Sequence, residues 1–455
     1  MARIDNLENF VTDIAGAIRA KTGTTSKIPC ADFDTEILSI PTDGGGGGGE
    51  TPPCSDTWVR PKEWLPYPDF NTEFDEIYLL LNIYHTTKNP IGFKLTGYDT
   101  NSKYTYNLGY QGANDIENPF SQGVYTFVSW DDIPDTNKIT SDVKQVWVHI
   151  KSAKGNIKGI DLKSPFPTAP NSVTIKTYPI IEYYAQCERM YELKVGTSDP
   201  TTSPVFCSEL ISFIHKGELQ DDRDTYLIDF LFAYLVNLEN LELNLGKMTR
   251  CGKMCQNCLS LTTVKLQSKS IQNFNRSFSG CVNLKVMPTL DLDNAKDIEY
   301  MFENTGITHI PNLMFTEATL VDALFYNCHK LVTVGKLEFP KLTRTNYNFL
   351  ARGTESLISI DNIIINNMQN GTLFDDNDSC LRSVKLSSYQ GATTSAGCLK
   401  LPSKGNLMSG EALNALFESI QTVTLPYNII TISGCMGKDD CDITIAQQKG
   451  YTIVR

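Results

Sequence analysis

A four-residue apolar pattern repeats along the second half of the chain. It has the form C/L-x-x-L, and its clear copies lie 23, 23 and 47 residues apart, beginning at Leu235, Cys258, Cys281 and Cys328. One more copy fits into the last interval at residues 304–307, with Asn304 in the first position, which we call the anchor. A period of about 20–29 residues with leucine at fixed positions is typical of leucine-rich repeats.

Two further positions keep this period. The first is apolar and follows each anchor: Leu241, Val264, Met287, Ile310, Val334, Ile360 and Val384. The second is aromatic and precedes several anchors: Phe232, Phe278, Phe302 and Phe325. Two looser copies begin at Thr354 and Cys380. Because one repeat cannot bury its own apolar face, the copies must stack on each other. The pattern predicts a leucine-rich-repeat solenoid of seven turns over residues 226–387.

The end of the chain loses this period. A helix-like segment spans residues 411–417, and a strand-like segment spans 427–432. The last turn of a solenoid exposes apolar surface unless something covers it. Residues 388–455 are therefore predicted to form a C-terminal cap.

The beginning of the chain has a helical period. Five apolar residues are spaced three or four apart, as in one coiled-coil seam: Ile4, Leu7, Val11, Ile14 and Ile18. A helix this short is marginal alone. Residues 1–42 are therefore predicted to be a docking or oligomerisation module, with a self-contained helical hairpin as the alternative. Six glycines at 44–49 and two prolines make residues 43–53 a linker.

Residues 54–225 alternate between short β-like runs and turns. Runs rich in β-branched and aromatic residues occur at 77–81, 104–106, 124–128 and 146–150. Strands at this spacing favour a β-sandwich, which we expect to be immunoglobulin-like, together with a connection to the solenoid. The predicted fold is thus multi-domain, with a short helical module, a β-sandwich and a capped solenoid.

Composition and charge narrow the function. The 455 residues carry a net charge of -12, which argues against nucleic acid as a partner. No apolar run is long enough to insert into a membrane, and residues 1–10 do not resemble a signal peptide. The 13 cysteines are odd in number, and several occupy repeat positions, which indicates small buried residues folded in a reducing cytoplasm.

One cysteine group has the spacing of a cofactor site. Cys251, Cys255 and Cys258 form C-x3-C-x2-C, as in radical-SAM iron–sulfur proteins. However, Cys251 and Cys255 align with Phe274 and Phe278 of the next repeat, and Cys258 is itself an anchor. Positions that accept phenylalanine are apolar, so we expect buried structural cysteines and no cofactor.

Histidines and acidic clusters complete the search for chemistry. The five histidines lie apart, without the spacing of a metal site or a catalytic triad: His85, His149, His215, His309 and His329. Three acidic clusters, at 221–224, 375–378 and 439–442, do not fit an EF-hand; solvated loops are favoured, and 375–378 is the best calcium candidate. No catalytic or metal residue is predicted, and no binding residue is identified.

Several segments resemble a known family. Residues 278–284 resemble BspA-type leucine-rich repeats of bacterial surface and phage proteins, and 58–65 look like the opening of the β-domain before such repeats in tailed-phage virion proteins. Residues 411–417 and 441–452 are similar to the end of those proteins, and 10–29 to a module of phage structural proteins. Relatives often carry Trp-Gly-Asp-Gly where residues 108–112 read LGYQG, so no role of that carboxylate carries over.

The resemblance implies a non-enzymatic tail-fibre or baseplate-type virion protein. We expect an adhesin or receptor-binding protein that is made in the host cytoplasm and located in the virion tail. Its expected partners are a glycan or protein on the host surface, other tail proteins through residues 1–42, and further copies of itself. The alternatives are a bacterial surface adhesin of the same repeat class and, less favoured, a tail-associated glycan hydrolase.

Overall fold

The computed structural model describes most of the chain after residue 57. The described residues are 58–85, 89–99, 101–110, 112–162, 177–197, 200, 207–220, 229–342, 352–365, 373–374, 380–395, 398–402 and 406–455. Asp56–Arg455 is one compact unit. The predicted helical module at 1–42, the linker at 43–53 and the boundary at 225 lie outside the described residues.

Five antiparallel strands build one sheet of a β-sandwich, in the order β8-β1-β6-β3-β4. The strands are β1 (Phe74–Tyr84), β3 (Lys103–Asn107), β4 (Ile116–Pro119), β6 (Val143–Ala153) and β8 (Ile180–Gln186). Two short 3-10 turns, Trp130–Asp132 and Asp135–Asn137, precede β6. β6 alternates buried and partly buried residues from Val146 to Ser152, so that one of its faces packs against the second sheet, whereas β1 is buried on both faces from Asp75 to Leu81.

The second sheet has the order β10-β7-β2-β5. Its strands are β2 (Asn89–Gly97), β5 (Val124–Val128), β7 (Ile157–Asp161) and β10 (Glu192–Lys194). The Phe93 ring of β2 meets the Tyr106 ring of β3 edge to face, with 5.7 Å between ring centroids, so the sheets pack face to face. The β-rich prediction for this region is confirmed, including strands over the four predicted runs.

Parallel strands continue the first sheet into the solenoid. β8 pairs antiparallel with β1 on one side and parallel with β11 on the other. The strands β11 (Ser212–Leu219), β12 (Asn240–Gly246) and β13 (Thr263–Ser268) follow in parallel, and the short β9 (Arg189–Met190) pairs with β11. Sandwich and solenoid therefore share one nine-stranded sheet.

Later turns form further parallel sheets. The first contains β14 (His309–Ile310), β15 (Leu313–Met314), β16 (Thr333–Phe339), β17 (Ser359–Ile365) and β18 (Ser383–Val384). The last contains β19 (Leu399–Lys400), β20 (Ile429–Thr431) and β21 (Thr452–Val454). The solenoid has about 9 turns, more than the seven predicted.

Opposite the sheet, the turns are joined by a second ladder of backbone hydrogen bonds. The Phe232, Cys255 and Phe278 N–H groups donate to carbonyls one turn ahead, at 2.8, 2.8 and 3.0 Å. Five successive turns have two left-handed residues four positions apart: Phe230/Tyr234, Lys253/Asn257, Arg276/Gly280, Tyr300/Asn304 and Ala323/Asn327. These residues keep the backbone pointing its N–H groups along the stack.

The interior is filled by the predicted periodic residues. Phe302 stacks on Phe278 and on Phe325, with 5.8 and 6.1 Å between ring centroids. Anchor cysteines donate their thiol protons to a carbonyl of the preceding turn, as Cys258 does to Phe232 at 3.0 Å. Cysteine thus supplies a small side chain that also satisfies a buried carbonyl.

One anchor prediction is wrong. Asn304 is exposed, and it shares a left-handed backbone with Asn257 and Asn327, which precede the anchors of their turns. The buried anchor is Thr305, whose hydroxyl lies 3.5 Å from the Cys328 sulfur. Between its anchor and the following apolar position, this turn has one residue fewer than its neighbours, and the shortening lies directly after the anchor, at Gly306. A Cβ on Gly306 would lie 2.4 Å from the Val282 carbonyl oxygen, so glycine is needed for this close approach.

Two helices lie near the C-terminus, α1 (Gly410–Ser419) and α2 (Thr444–Gln448). The predicted helix at 411–417 is confirmed within α1, which buries Leu413, Leu416 and Phe417. The predicted strand at 427–432 contains β20. None of the described helices has the length and apolar character needed to cross a bilayer.

Candidate binding surface

The outer face of the nine-stranded sheet carries side chains in rows. Because alternate residues of a strand point to the same face, paired strands align their outward residues across the sheet. One row contains Trp147, Leu80, Glu182, Ser212, Asn240 and Thr263. The next row contains His149, Tyr78, Tyr184, Ile214, Glu242 and Lys265. We call these the first and second rows.

Residues 58–71 lie across this face, and we call them the covering segment. The Trp58 N–H donates to the Thr263 hydroxyl at 2.7 Å, and the Leu65 N–H donates to the Gln145 side chain at 3.1 Å. The Trp147 indole N–H donates to the Pro66 carbonyl at 3.0 Å. The covering segment therefore spans from the solenoid strand β13 to the sandwich strand β6.

A buried carboxylate fixes the middle of the covering segment. Glu182 is 0% exposed and receives hydrogen bonds from the Arg60 guanidinium at 2.7 and 2.9 Å. The Tyr67 hydroxyl donates to its other oxygen at 2.8 Å, and the Arg60 guanidinium lies 4.3 Å from the centre of the Tyr67 ring. Burial, followed by the charge of Glu182, raises the pKa of Tyr67, so its hydroxyl stays protonated.

A second carboxylate organises the sandwich end of the face. Glu76 accepts hydrogen bonds from the Asn71 N–H and, at 2.8 Å, from His149 Nε2. The His149 ring stacks on Tyr78 with 4.4 Å between centroids, and Phe70 stands 5.8 Å from Tyr78. Burial lowers the pKa of His149, partly opposed by Glu76. Aromatic rings thus fill the covered half of the second row.

The solenoid half of the second row is open and charged. Lys265 has 67% of its side chain exposed and lies 3.6 Å from the Glu242 carboxylate. Beyond this row, a pocket of about 300 Å³ opens beside Lys216, Asn244, Gln267 and Thr289. This is the part of the face where amides, a hydroxyl and charges of both signs can meet a ligand.

A third row continues the open face along the later turns. Strand pairing and isolated bridges align Val286, His309, Thr333, Ser359 and Ser383. All five side chains are at least partly exposed, and four carry a polar group. Apart from His309 these side chains are short, so they leave the sheet face accessible over five successive turns.

The three cysteines with cofactor-like spacing are buried in the repeat. Cys251, Cys255 and Cys258 are 0% exposed, as are Phe274 and Phe278 in the aligned positions, which confirms the structural prediction. Burial raises the pKa of Cys251 to about 12, so this thiol keeps its proton. Within the described ranges, no three His, Cys, Asp or Glu side chains are grouped to hold a metal ion.

The histidines lie in different parts of the fold, with His149, His215 and His309 on β6, β11 and β14. His329 is at the surface, 2.6 Å from Glu355, and His85 lies against the Trp130 ring. His215 is buried in the core beside the open half of the second row, and no spacing of residues in the sequence marked it.

The acidic clusters at 221–224 and 375–378, including the calcium candidate, lie outside the described residues. The third cluster is structural in part, because Asp442 accepts hydrogen bonds from the N–H and hydroxyl of Thr444 at the start of α2.

The fold and the surface define a β-sandwich joined to a β-solenoid through one sheet with an open outer face. Comparison of the chain with protein-family models, curated proteins and solved structures gives no match.

Proposed function

We propose that this protein is a non-enzymatic adhesin that binds a glycan or protein on a bacterial surface through the open face of its solenoid. The third row carries the proposal, because five successive turns present accessible, mostly short side chains on parallel-paired backbone. Such a face is pre-organised, so little conformational entropy is lost on binding.

The covering segment supports a rigid platform. Its contacts with β13, β8 and β6 join the solenoid to the sandwich across the shared sheet. A ligand bound to the open half is therefore held in a fixed orientation relative to the sandwich. Within the proposal, residues 1–42 attach the protein to other tail proteins of a phage virion, as the sequence resemblance implies.

The finer details of the fold belong to the same proposal. The strand pairs β1/β8, β2/β7 and β3/β6 are nested, a winding that favours a jelly roll over the immunoglobulin-like arrangement expected from the sequence.

The C-terminal region serves as the cap, in which Lys449 donates to the Phe417, Glu418 and Ile420 carbonyls at the end of α1.

Binding of the full chain to a panel of bacterial strains tests the function. We expect saturable binding to some strains and competition by their isolated surface polysaccharide or protein. Thr333→Arg places a long side chain in the third row and should weaken binding at least tenfold. Asn283→Arg, at an exposed position outside the rows, is the matched control.

Two results would reject this function. If no strain binds the chain, or if Thr333→Arg and Asn283→Arg bind equally well, the open face is not an adhesive surface. Release of sugar fragments from the polysaccharide by the purified chain would instead favour the glycan hydrolase.

A further inference from the structure

Two backbone bulges lie side by side at the edge of the second row. Between β11 and β12 the pairing passes from His215 to Glu218 while the partner advances by one residue, so Lys216 and Gly217 are extra. Between β12 and β13 the pairing passes from Asn244 to Gly246, so Leu245 is extra. Bulges of this kind redirect side chains and interrupt the hydrogen-bond ladder.

Glycine is required at both bulges. A Cβ on Gly217 would lie 1.7 Å from the Cys187 carbonyl oxygen. Gly246 is left-handed with φ of 55°, and a Cβ there would lie 2.1 Å from the Leu219 carbonyl oxygen. The two bulges, and therefore the opening of the sheet beside the pocket, depend on these two glycines. The pocket has a volume of about 300 Å³, which is at the lower end of the range for small-molecule sites.

His215 lies beside this pocket, but its side chain points to the inner face of the sheet, because it alternates with the outward Ile214. It is 1% exposed, and its Nε2 has no hydrogen-bond partner among the described residues. The Tyr183 hydroxyl lies 3.4 Å from His215 Nδ1 in the core. His215 therefore shapes the sheet beside the pocket and does not contact a ligand in it.

Lys216 supplies a positive charge at the same pocket. Its ammonium donates to the Tyr184 hydroxyl at 3.1 Å and lies 5.1 Å from the centre of that ring and 5.7 Å from that of Phe70. No carboxylate pairs with Lys216 in the described part of the chain, whereas Lys265 is paired with Glu242. An unpaired ammonium held by aromatic rings is suited to an anionic group.

We propose that this pocket binds one uronate unit of a surface glycan, with its carboxylate on Lys216. Asn244, Gln267, Thr289 and Glu242 offer the mixture of donors and acceptors that the sugar hydroxyls require. This inference rests on the proposed adhesive function, since it names the chemical class of the bound glycan.

Titration of the full chain with sodium D-glucuronate tests the pocket directly, by calorimetry or ligand-observed NMR. We expect D-glucuronate to bind at least tenfold more tightly than D-glucose or acetate, because only the uronate offers both a carboxylate and hydroxyls. Lys216→Met keeps the apolar stem and removes the charge, so it should weaken D-glucuronate binding about tenfold or more. Lys330→Met, at an exposed lysine outside the pocket, should leave binding unchanged.

Equal binding of D-glucose and D-glucuronate, or equal affinity of the Lys216→Met and Lys330→Met variants, would overturn the inference. Cell binding separates this failure from failure of the function. If wild type and Lys216→Met bind cells equally and D-glucuronate does not compete, the pocket inference is wrong and the adhesive function stands. If D-glucuronate binds the pocket and no strain binds the chain, the function is wrong and the pocket stands.

Discussion

The sandwich half and the solenoid half of the nine-stranded sheet meet at β8, and they differ in whether their shared outer face is covered. On the sandwich side the second row is aromatic and lies under the covering segment, as Tyr78 and Tyr184 show. On the solenoid side the same row ends in Glu242 and Lys265, which are open to solvent. One continuous sheet therefore has a structural half and a half available for binding.

The difference follows from how each half buries its apolar surface. The solenoid turns stack on each other, so their interior is complete without using the outer face. The sandwich uses its inner face for the second sheet and places additional aromatic residues outside, where Phe70 and Tyr67 of the covering segment contact them. A covered face adds stability, and an uncovered face leaves polar side chains free for a ligand.

The largest effect is expected from removing the charge that neutralises Glu182. Arg60→Ala leaves a fully buried carboxylate without its ion pair, which should lower the free energy of unfolding by about 3–5 kcal/mol. Urea unfolding at pH 7 measures this change. Lys103→Ala breaks the exposed pair with Glu117 in the same sandwich and should cost under about 1 kcal/mol. Equal losses in the two variants would show that the covered Arg60–Glu182 pair stabilises the fold no more than an exposed pair does.

The next effect concerns pH and His215. Burial lowers the pKa of His215 from 6.5 to about 4, so below pH 6.5 the unfolded chain binds a proton that the folded chain excludes. The stability that depends on neutral His215 is complete above pH 6.5 and is lost as pH falls towards 4, by about 2.5 kcal/mol at pH 4.5. Between pH 7 and 4.5 the free energy of unfolding of His215→Phe should therefore fall by about 2.5 kcal/mol less than that of wild type. Urea unfolding at the two pH values measures this difference. Parallel pH profiles would show that His215 titrates normally.

A smaller loss is expected from Tyr67→Phe. The substitution removes one hydrogen bond to the buried Glu182 carboxylate and keeps the ring, so we expect a loss of about 2 kcal/mol. Thermal and urea unfolding measure it. Tyr427→Phe, at an exposed tyrosine, is the control and should change stability by less than about 0.5 kcal/mol. A neutral Tyr67→Phe would mean that Arg60 alone holds the covering segment.

The smallest effect is expected on the open half. Lys265→Ala removes an exposed partner of Glu242 and should change the free energy of unfolding by less than about 1 kcal/mol. The same unfolding assay applies. A loss similar to that of Arg60→Ala would show that the open row stabilises the fold and is not free for binding.

Sequence periodicity predicted the interior of the solenoid and little of its outer face. Phe278 and Cys255 could be assigned to the same buried position of successive repeats because they lie one repeat length apart. An apolar residue at such a position faces the interior of the stack. Asn304 was misassigned because its turn lacks a residue, and spacing alone does not say on which side of the anchor the gap lies.

The candidate surface depends on contacts between residues far apart in the sequence. Trp58 reaches Thr263 and Arg60 reaches Glu182, and neither pair has a periodic signature. The strands of the sandwich were predicted from their β-branched and aromatic residues. The pairing of β8 with both β1 and β11 could not be predicted in this way, because it joins segments that are distant in the sequence. Gly217, two residues after His215, is the local signal that could have pointed to the bulge.

The hydrogen bonds between turns also allow the solenoid to vary in length. Phe232 donates to a carbonyl one turn ahead, and Cys255 and Phe278 repeat the same bond. An insertion or loss of one whole 23-residue unit would preserve this connectivity and change the length of the stack by about 4.8 Å. Gene duplication within the repeat could therefore lengthen or shorten the protein stepwise while the sandwich and its covering segment stay as they are.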